Sequence, residues 1–195
     1  MTVSVANAAG DARAWAVETD EVVFSAPPYL AVRRQRVRTD SGHVVDDYYQ
    51  IDVPDFAIGC ALTEAGEVIT LWQYKHGLSA WGLTFPAGMI DDGETPEAGM
   101  LRELREETGF VAVQARFLGS YVMNSNQGGG RANLFLLTGC RRESEAQSGD
   151  LETMDLRLMS VAEVDAAVAG GEVHGLAHLA VWTAARHLCQ DAFAS

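Results

Sequence analysis

The sequence contains little cysteine and no long apolar run. Its 195 residues contain three cysteines, Cys60, Cys140 and Cys189, which lie far apart and lack the close spacing of a metal site. We expect all three to be reduced and mostly buried. No window approaches the ~18 apolar residues of a membrane-spanning helix, and the chain does not begin with a basic region followed by an apolar stretch. These absences favour a cytoplasmic protein without a membrane partner.

Basic residues are also scarce. Fourteen Lys and Arg stand against 27 Asp and Glu, which gives a formal net charge of −13. This balance argues against a nucleic-acid partner and favours a small-molecule ligand. With 48% hydrophobic residues the chain can bury the core of one domain, with or without a small appendage.

The order of apolar segments predicts an α/β fold with helices on a mixed sheet. Alternating residues predict an antiparallel hairpin from strands 29–39 and 43–53, so that segment 1–53 precedes a main domain at 54–195. Apolar runs predict buried strands, and two helices are expected near the C-terminus. The strands are 55–63, 67–75 and 132–140, and the helices are 161–169 and about 176–193.

Two polar segments have two interpretations each. Alternation places Arg34, Arg36 and Arg38 on one strand face, which is either solvated or in contact with a substrate or partner subunit. The glycine-rich stretch 123–131 is either a flexible connector or a substrate-lining loop that contributes Arg131. His174 and His178 are four apart, as in a metal-binding pair, but no third ligand lies nearby in sequence.

A helix is predicted to begin near residue 96. Thr95 is a suitable N-cap, Pro96 suits the first helical position, and Glu97 complements the positive helix N-terminus. Gly109 suits the left-handed residue that ends a helix. The predicted helix therefore covers about 96–108.

Three carboxylates share one face of this helix, at Glu103, Glu106 and Glu107. Like charges at this spacing repel each other, and Arg102 relieves part of the repulsion by pairing with Glu106. A solvated charged face would explain the pattern, but so would divalent cations with oxygen ligands such as Mg²⁺. Pro86 and Gly88, on either side of Ala87, predict an irregular backbone whose Ala87 carbonyl is available to a metal.

The residues around this helix resemble the Nudix box, with a match at every specified position. The chain is therefore similar to a Nudix hydrolase from about residue 48 to the C-terminal helix. The matching positions are Gly88, five residues, Glu94, seven residues, Arg102-Glu103-Leu104, one residue, Glu106-Glu107, one residue, and Gly109-Phe110.

The resemblance implies an α/β/α sandwich and hydrolysis of a nucleoside diphosphate linked to another group. It implies Mg²⁺, with Mn²⁺ as a substitute, bound by Glu103, Glu107 and the Ala87 carbonyl. Glu106 would be a ligand or the catalytic base. Arg102 would orient the carboxylates.

Segments 71–77 and 83–90 are similar to stretches of ADP-ribose pyrophosphatases, which implies ADP-ribose or a related nucleotide sugar as substrate. Known members of that branch exchange an N-terminal hairpin across a homodimer, so a homodimer is expected. Their catalytic base lies in an acidic loop after the box, which makes Glu152 the first candidate here. Asp150, Lys75 and Arg131 are candidates for substrate binding.

Two departures leave other substrates open. Thr84 stands where Glu precedes the Pro-Ala-Gly sequence of that branch, and residues 122–127 lack its usual proline. The alternatives are a dinucleoside polyphosphate, an NTP or a coenzyme. A further alternative is a Nudix module that binds a nucleotide without cleaving it, although every box acid is present.

Overall fold

The computed structural model describes residues 13–149 and 153–193. The chain divides into two compact units. The first comprises the residues up to Pro54 together with Val122–Arg131. The second comprises Asp55–Tyr121 and the residues from Ala132 onward.

The first unit contains three antiparallel strands. These are β1 (Ala16–Ala26), β2 (Leu30–Arg38) and β3 (Val44–Asp52). The predicted hairpin of β2 and β3 is confirmed, with Arg38 opposite Val44 and Ala31 opposite Asp52. Before it, the sequence indicates only a short strand at 22–25, whereas β1 extends over 11 residues. Because β1 is exposed along nearly its whole length, polar residues occur within it, and its full length is not evident from the sequence.

Ion pairs explain the row of arginines on β2. Arg34 pairs with Glu21 at 2.9 Å, and Arg36 pairs with Glu18 at 2.8 Å. Arg38 also contacts Glu18, and hydrogen bonds from Arg36 and then Arg38 lower the pKa of Glu18. The arginines therefore neutralise acids of the same sheet, which favours the interpretation of a solvated strand face.

The second unit is built on a mixed sheet. Its strands are β4 to β7, the two-residue β8, and β9 to β11. In its centre β4 runs parallel to β10, while β5 runs antiparallel to both β4 and β11. The strands are β4 (Phe56–Thr63), β5 (Val68–Lys75), β6 (Ala80–Thr84), β7 (Ala87–Met89), β8 (Phe110–Val111), β9 (Gln114–Asn124), β10 (Gly128–Arg142) and β11 (Met154–Met159); β9 and β10 also contribute residues to the first unit.

Helices cover both faces of this sheet. On one face α1 (Pro96–Thr108) buries Met100 and Leu104 against Ala57, Ala61 and Ile69. On the other face lie α2 (Val161–Ala169) and α3 (Leu176–Leu188), with Trp182 in a core shared with Ile58 and Phe85. Each fully buried large apolar side chain contributes roughly 1.5–3 kcal/mol. The predicted α/β/α arrangement with a mixed sheet is confirmed.

The structure differs from the sequence-based segments at two places. Gly128 to Gly130 begin β10 instead of forming a loop. All three have positive φ, a conformation that is not typical of strands, so residue propensities do not predict a strand here. The last helix stops at Leu188, and a short 3₁₀ turn follows at Gln190–Phe193. Within the described ranges no helix has the length and apolar character needed to span a membrane. All three cysteines are buried and unpaired, as expected.

Candidate active site

Local signals set both ends of α1. The Thr95 side chain accepts a hydrogen bond from the Ala98 N–H at 3.2 Å, and Pro96 opens the helix. Gly109 adopts a left-handed conformation with φ of 75°, and its N–H donates to the Arg105 carbonyl at 2.9 Å. The predicted bounds of the box helix are therefore correct.

Packing of α1 turns Glu107 toward the sheet. Its side chain is 95% buried, and Oε2 accepts a hydrogen bond from the Ala87 N–H at 2.9 Å. Ala87 is available because the chain changes partner here, from β6 on β5 to β7 on β4. At the crossing the Pro86 carbonyl accepts from the Gly59 N–H at 3.0 Å. The irregular backbone lies at Phe85 and Pro86, whereas Ala87 itself begins β7 opposite Ile58, and its N–H holds a box carboxylate.

Arg102 connects the other box acids. Its Nη1 donates to Glu103 at 2.7 Å and to Glu106 at 3.1 Å. Its Nε and Nη2 donate to Glu94 at 3.1 and 3.0 Å, and Nη2 also donates to the Met89 carbonyl at 2.8 Å. The hydrogen bond from Arg102 lowers the pKa of Glu94, and the Glu94 contact is the first cause of a raised Arg102 pKa. One guanidinium thus orders three carboxylates.

Position 88 requires glycine because the Glu103 side chain closely approaches the backbone there. A Cβ atom at this position would overlap the carboxylate of Glu103. The first glycine of the box therefore allows α1 to bring Glu103 against the backbone of β7. Glu103 and Glu107, the two acids expected to bind metal directly, accordingly approach the same three-residue strand.

Hydrogen-bond donors of the protein lie between or beside the box carboxylates. Across residues 13–149 and 153–193, no three acidic, histidine or cysteine side chains surround a common point as metal ligands do. Glu103 and Glu106 share the Arg102 Nη1, and Glu107 accepts from Ala87. Glu94, Glu103, Glu106 and Glu107 still outnumber Arg102 four to one, which leaves an excess of negative charge.

A loop after β10 packs against the C-terminal end of α1. The Glu143 and Ser144 N–H groups donate to the Gly109 carbonyl at 2.9 and 3.1 Å, and Gln147 N–H donates to the Glu106 carbonyl at 2.7 Å. A cleft of about 600 Å³ lies between this loop and the helix. Its lining includes Arg102 and Glu106, together with Leu101, Arg105, Val111, Ala112, Ser144, Glu145 and Gln147.

The remaining predicted residues are more scattered. Lys75 ends β5 in the second unit, opposite Ala80 of β6. Arg131 lies on β10 in the part of that strand that belongs to the first unit. Asp150 and Glu152, the proposed substrate-binding and base residues of the acidic loop, lie outside the described residues.

His174 and His178 do not form a pair. The His174 Nε2 lies 3.2 Å from the Trp81 carbonyl, whereas the His178 Nδ1 accepts a hydrogen bond from the Phe85 N–H at 3.0 Å. The sequence pattern does not indicate the link from His178 to Phe85. These residues are 93 positions apart, so nothing in the local pattern could have indicated the contact.

Comparisons with known proteins concern the family and the fold. The family model described as the NUDIX domain matches residues 53–179. A solved structure entitled "Crystal structure of ADP compounds hydrolase" superposes with a TM-score of 0.79 at 18% identity, over 91% of this chain and 95% of the other. At that identity the match concerns the fold.

Two curated relatives match over shorter stretches. The ADP-sugar pyrophosphatase of Mus musculus is 54% identical over 43 residues, which is 22% of this chain and 20% of that protein. The RNA pyrophosphohydrolase of Aliivibrio fischeri (strain MJ11) is 49% identical over 49 residues, which is 25% of this chain and 28% of that protein. The chain thus matches less than a third of either relative's length. Proteins named for different substrates share stretches this short, so the similarity by itself selects no substrate.

Proposed function

Because this chain belongs to the Nudix family, as its box predicted, we propose that it is a metal-dependent pyrophosphohydrolase of ADP-ribose or a related nucleotide sugar. The products would be a nucleoside monophosphate and a sugar phosphate. The observation that carries the proposal is the intact box on α1, with Glu107 held by the Ala87 N–H and Glu103 seated on Gly88. A module that only binds nucleotides has no need of all these acids.

The chemistry of the donor set fits Mg²⁺ or Mn²⁺. Carboxylate and carbonyl oxygens are the ligands such cations prefer. We assign Glu103, Glu106, Glu107 and the Ala87 carbonyl as the residues that would hold metal. The excess of negative charge around Arg102, together with the close approach of Glu103 to the backbone at Gly88, supports this assignment.

When bound, divalent cations would neutralise the pyrophosphate and increase the acidity of water. The protein's own contribution is to hold the groups in place. Arg102 orients Glu103 and Glu106, while the Ala87 N–H fixes the buried Glu107. Glu106 and Glu152 are the candidates for the base that removes a proton from the attacking water, with Glu152 preferred.

The substrate assignment has three supports. Segments 71–77 and 83–90 are similar to stretches of ADP-ribose pyrophosphatases. The cleft beside Arg102 and Glu106, at about 600 Å³, lies within the size range of small-molecule sites. The net charge of −13 disfavours a polyanion such as RNA. Lys75, Arg131 and Asp150 remain candidates for contacts with the substrate.

A substrate panel tests the proposal. Purified protein with Mg²⁺ should hydrolyse ADP-ribose or a nucleotide sugar faster than dinucleoside polyphosphates, NTPs, coenzymes or triphosphorylated RNA. Chelation should abolish turnover, and Mg²⁺ or Mn²⁺ should restore it. Faster hydrolysis of another class would reject the substrate assignment while leaving the reaction type in place.

The variant Glu107→Gln tests the box itself. Glutamine retains an oxygen for the Ala87 N–H but removes the charge, so turnover should fall by orders of magnitude with little change in the fold. Glu97→Gln is the matched control, because Glu97 is an exposed acid in the first turn of the same helix. Unchanged turnover in Glu107→Gln would exclude the proposed metal role.

A further inference from the structure

The segment that carries Ala87 is held from both faces of the sheet. From one face, Glu107 of α1 accepts the Ala87 N–H. From the other face, α3 reaches Phe85, two residues earlier. β6 ends at Thr84 and β7 begins at Ala87, so the Phe85 N–H lies between the two strands. Its acceptor is the Nδ1 atom of His178, at 3.0 Å.

The side chain of Phe85 is fixed by the same helix. Its ring lies 5.8 Å from the Trp182 ring with an interplanar angle of 13°, and 6.4 Å from the His178 ring at 25°. His178 and Trp182 are one helical turn apart, so they face the same way. Phe85 is completely buried. Its backbone and its ring are thus both held by α3, which limits movement of the crossing from β6 to β7.

The hydrogen bond specifies the state of the imidazole. Since Nδ1 accepts, the proton of a neutral ring must be on Nε2. Burial, and secondarily the charge of Lys75, lowers the pKa of His178 to about 4. The ring is therefore neutral near pH 7 and able to accept from Phe85.

We propose that His178 is a positioning residue for the hydrolytic site, acting through Phe85 and Ala87 on the placement of Glu107 and of the Ala87 carbonyl. The role rests on the proposed function, because a displaced Ala87 matters only if this segment binds metal. Small displacements of a ligand are costly where reacting groups must be aligned. His178 needs no contact with the substrate for this role.

Two substitutions separate the hydrogen bond from the packing. His178→Leu keeps a side chain that can pack in this position but removes the hydrogen-bond acceptor. His178→Asn instead places an Oδ1 acceptor where Nδ1 stood. Mn²⁺ affinity, measured without substrate by the electron paramagnetic resonance signal of free Mn²⁺, should weaken about tenfold or more in His178→Leu. It should largely recover in His178→Asn. Turnover at saturating substrate should follow the same order.

His174→Ala is the matched control. His174 also contacts β6 through a ring nitrogen, at the Trp81 carbonyl, but it is exposed and its partner precedes Ala87 by six residues. This variant should bind Mn²⁺ as the wild type does. An equal loss of Mn²⁺ affinity in His174→Ala would show a general effect of this surface and would overturn the proposal. Normal Mn²⁺ binding and turnover in His178→Leu would also overturn it.

A measurement on the wild type covers the case in which His178→Leu does not fold. Long-range ¹H–¹⁵N correlation spectra near pH 7 should show His178 protonated at Nε2, with Nδ1 as a hydrogen-bonded acceptor. A proton on Nδ1 would overturn the proposal. A wild type that hydrolyses nothing in the substrate panel would instead reject the proposed function, so the two failures are distinguishable.

Discussion

At the scale of single residues, Arg102 links the two ends of the box. It joins Glu94 and Met89, which precede the helix, to Glu103 and Glu106 on the helix itself. A guanidinium can do this because its donors lie in a planar fork, whereas an ammonium is a point charge on a flexible stem. The arginine therefore sets the mutual positions of acids that would otherwise repel each other.

We predict that Arg102→Lys lowers both stability and turnover. Lysine has three donors on one nitrogen and cannot reproduce the two bonds to Glu94 together with those to Glu103, Glu106 and Met89, so the free energy of unfolding should fall by about 1–3 kcal/mol. Urea denaturation at pH 7 measures this, and Arg105→Lys is the control because Arg105 is exposed on the same helix. Equal stability of Arg102→Lys and the wild type would contradict the linking role.

The sequence indicates these charged residues but only part of the hydrogen bonding between them. The pair of Arg102 with Glu106 follows from helical spacing, and the structure contains it. The bonds to Glu94 and to the Met89 carbonyl depend on how the preceding turn folds back, which helical periodicity does not describe.

At the scale of elements, the sequence alone predicts the bounds of α1 and α2 correctly, whereas it extends the last helix beyond Leu188. α2 shows why, because Ser160 and Glu163 form a reciprocal capping box. The Ser160 hydroxyl, and secondarily its N–H, lowers the pKa of Glu163 below its ordinary value of 4.5. These signals lie within four consecutive residues, so no distant contact is needed to place the helix start.

Ser160→Ala should cost about 1 kcal/mol of unfolding free energy near pH 7. Because the folded-state pKa of Glu163 is depressed, its contribution is present above pH 4.5 and is lost as the pH falls through the lower folded value. The stability difference between wild type and Ser160→Ala should therefore shrink between pH 7 and pH 3. Ser160→Thr, which keeps the hydroxyl, should resemble the wild type, and a difference that is constant with pH would contradict this account.

β1 and the start of β10 were harder to place than the buried strands. β1 is exposed along nearly its whole length and its apolar residues do not alternate regularly with polar ones. β10 begins with three glycines, which have no strand preference of their own. β1 is defined by its pairing with β2, and Gly128 at the start of β10 pairs with Ile51 of β3, 77 residues away, which a local pattern does not indicate.

At the scale of the whole molecule, the expected homodimer remains a prediction. The first unit exposes a set of large apolar side chains that a monomer would leave in water, each between 46% and 57% exposed. They are Trp15, Val17, Val22, Val23 and Phe24. Exposed apolar side chains of this size are candidates for an interface between subunits.

Light scattering after gel filtration should give twice the mass of one chain. Phe24→Glu should shift this toward the monomer, since a charge would be buried at the interface. Leu176→Glu is the control, because Leu176 is 71% exposed in the second unit at the start of α3. A monomeric wild type, or dissociation by the control alone, would contradict a dimer built on the first unit.

The sequence by itself determined the box, the helix that carries it and the family, because 23 consecutive residues contain the caps, the spacing of the acids and the glycines. Only the tertiary structure decided how that helix is completed into a site. Glu107 accepts from Ala87, 20 positions away, and Phe85 donates to His178, 93 positions away. Contacts of this kind arise when the sheet brings distant segments together, and local patterning cannot specify them. The sequence specifies the helix and its charged residues. The crossing from β6 to β7, which forms only in the folded sheet, holds one of those charged side chains in place.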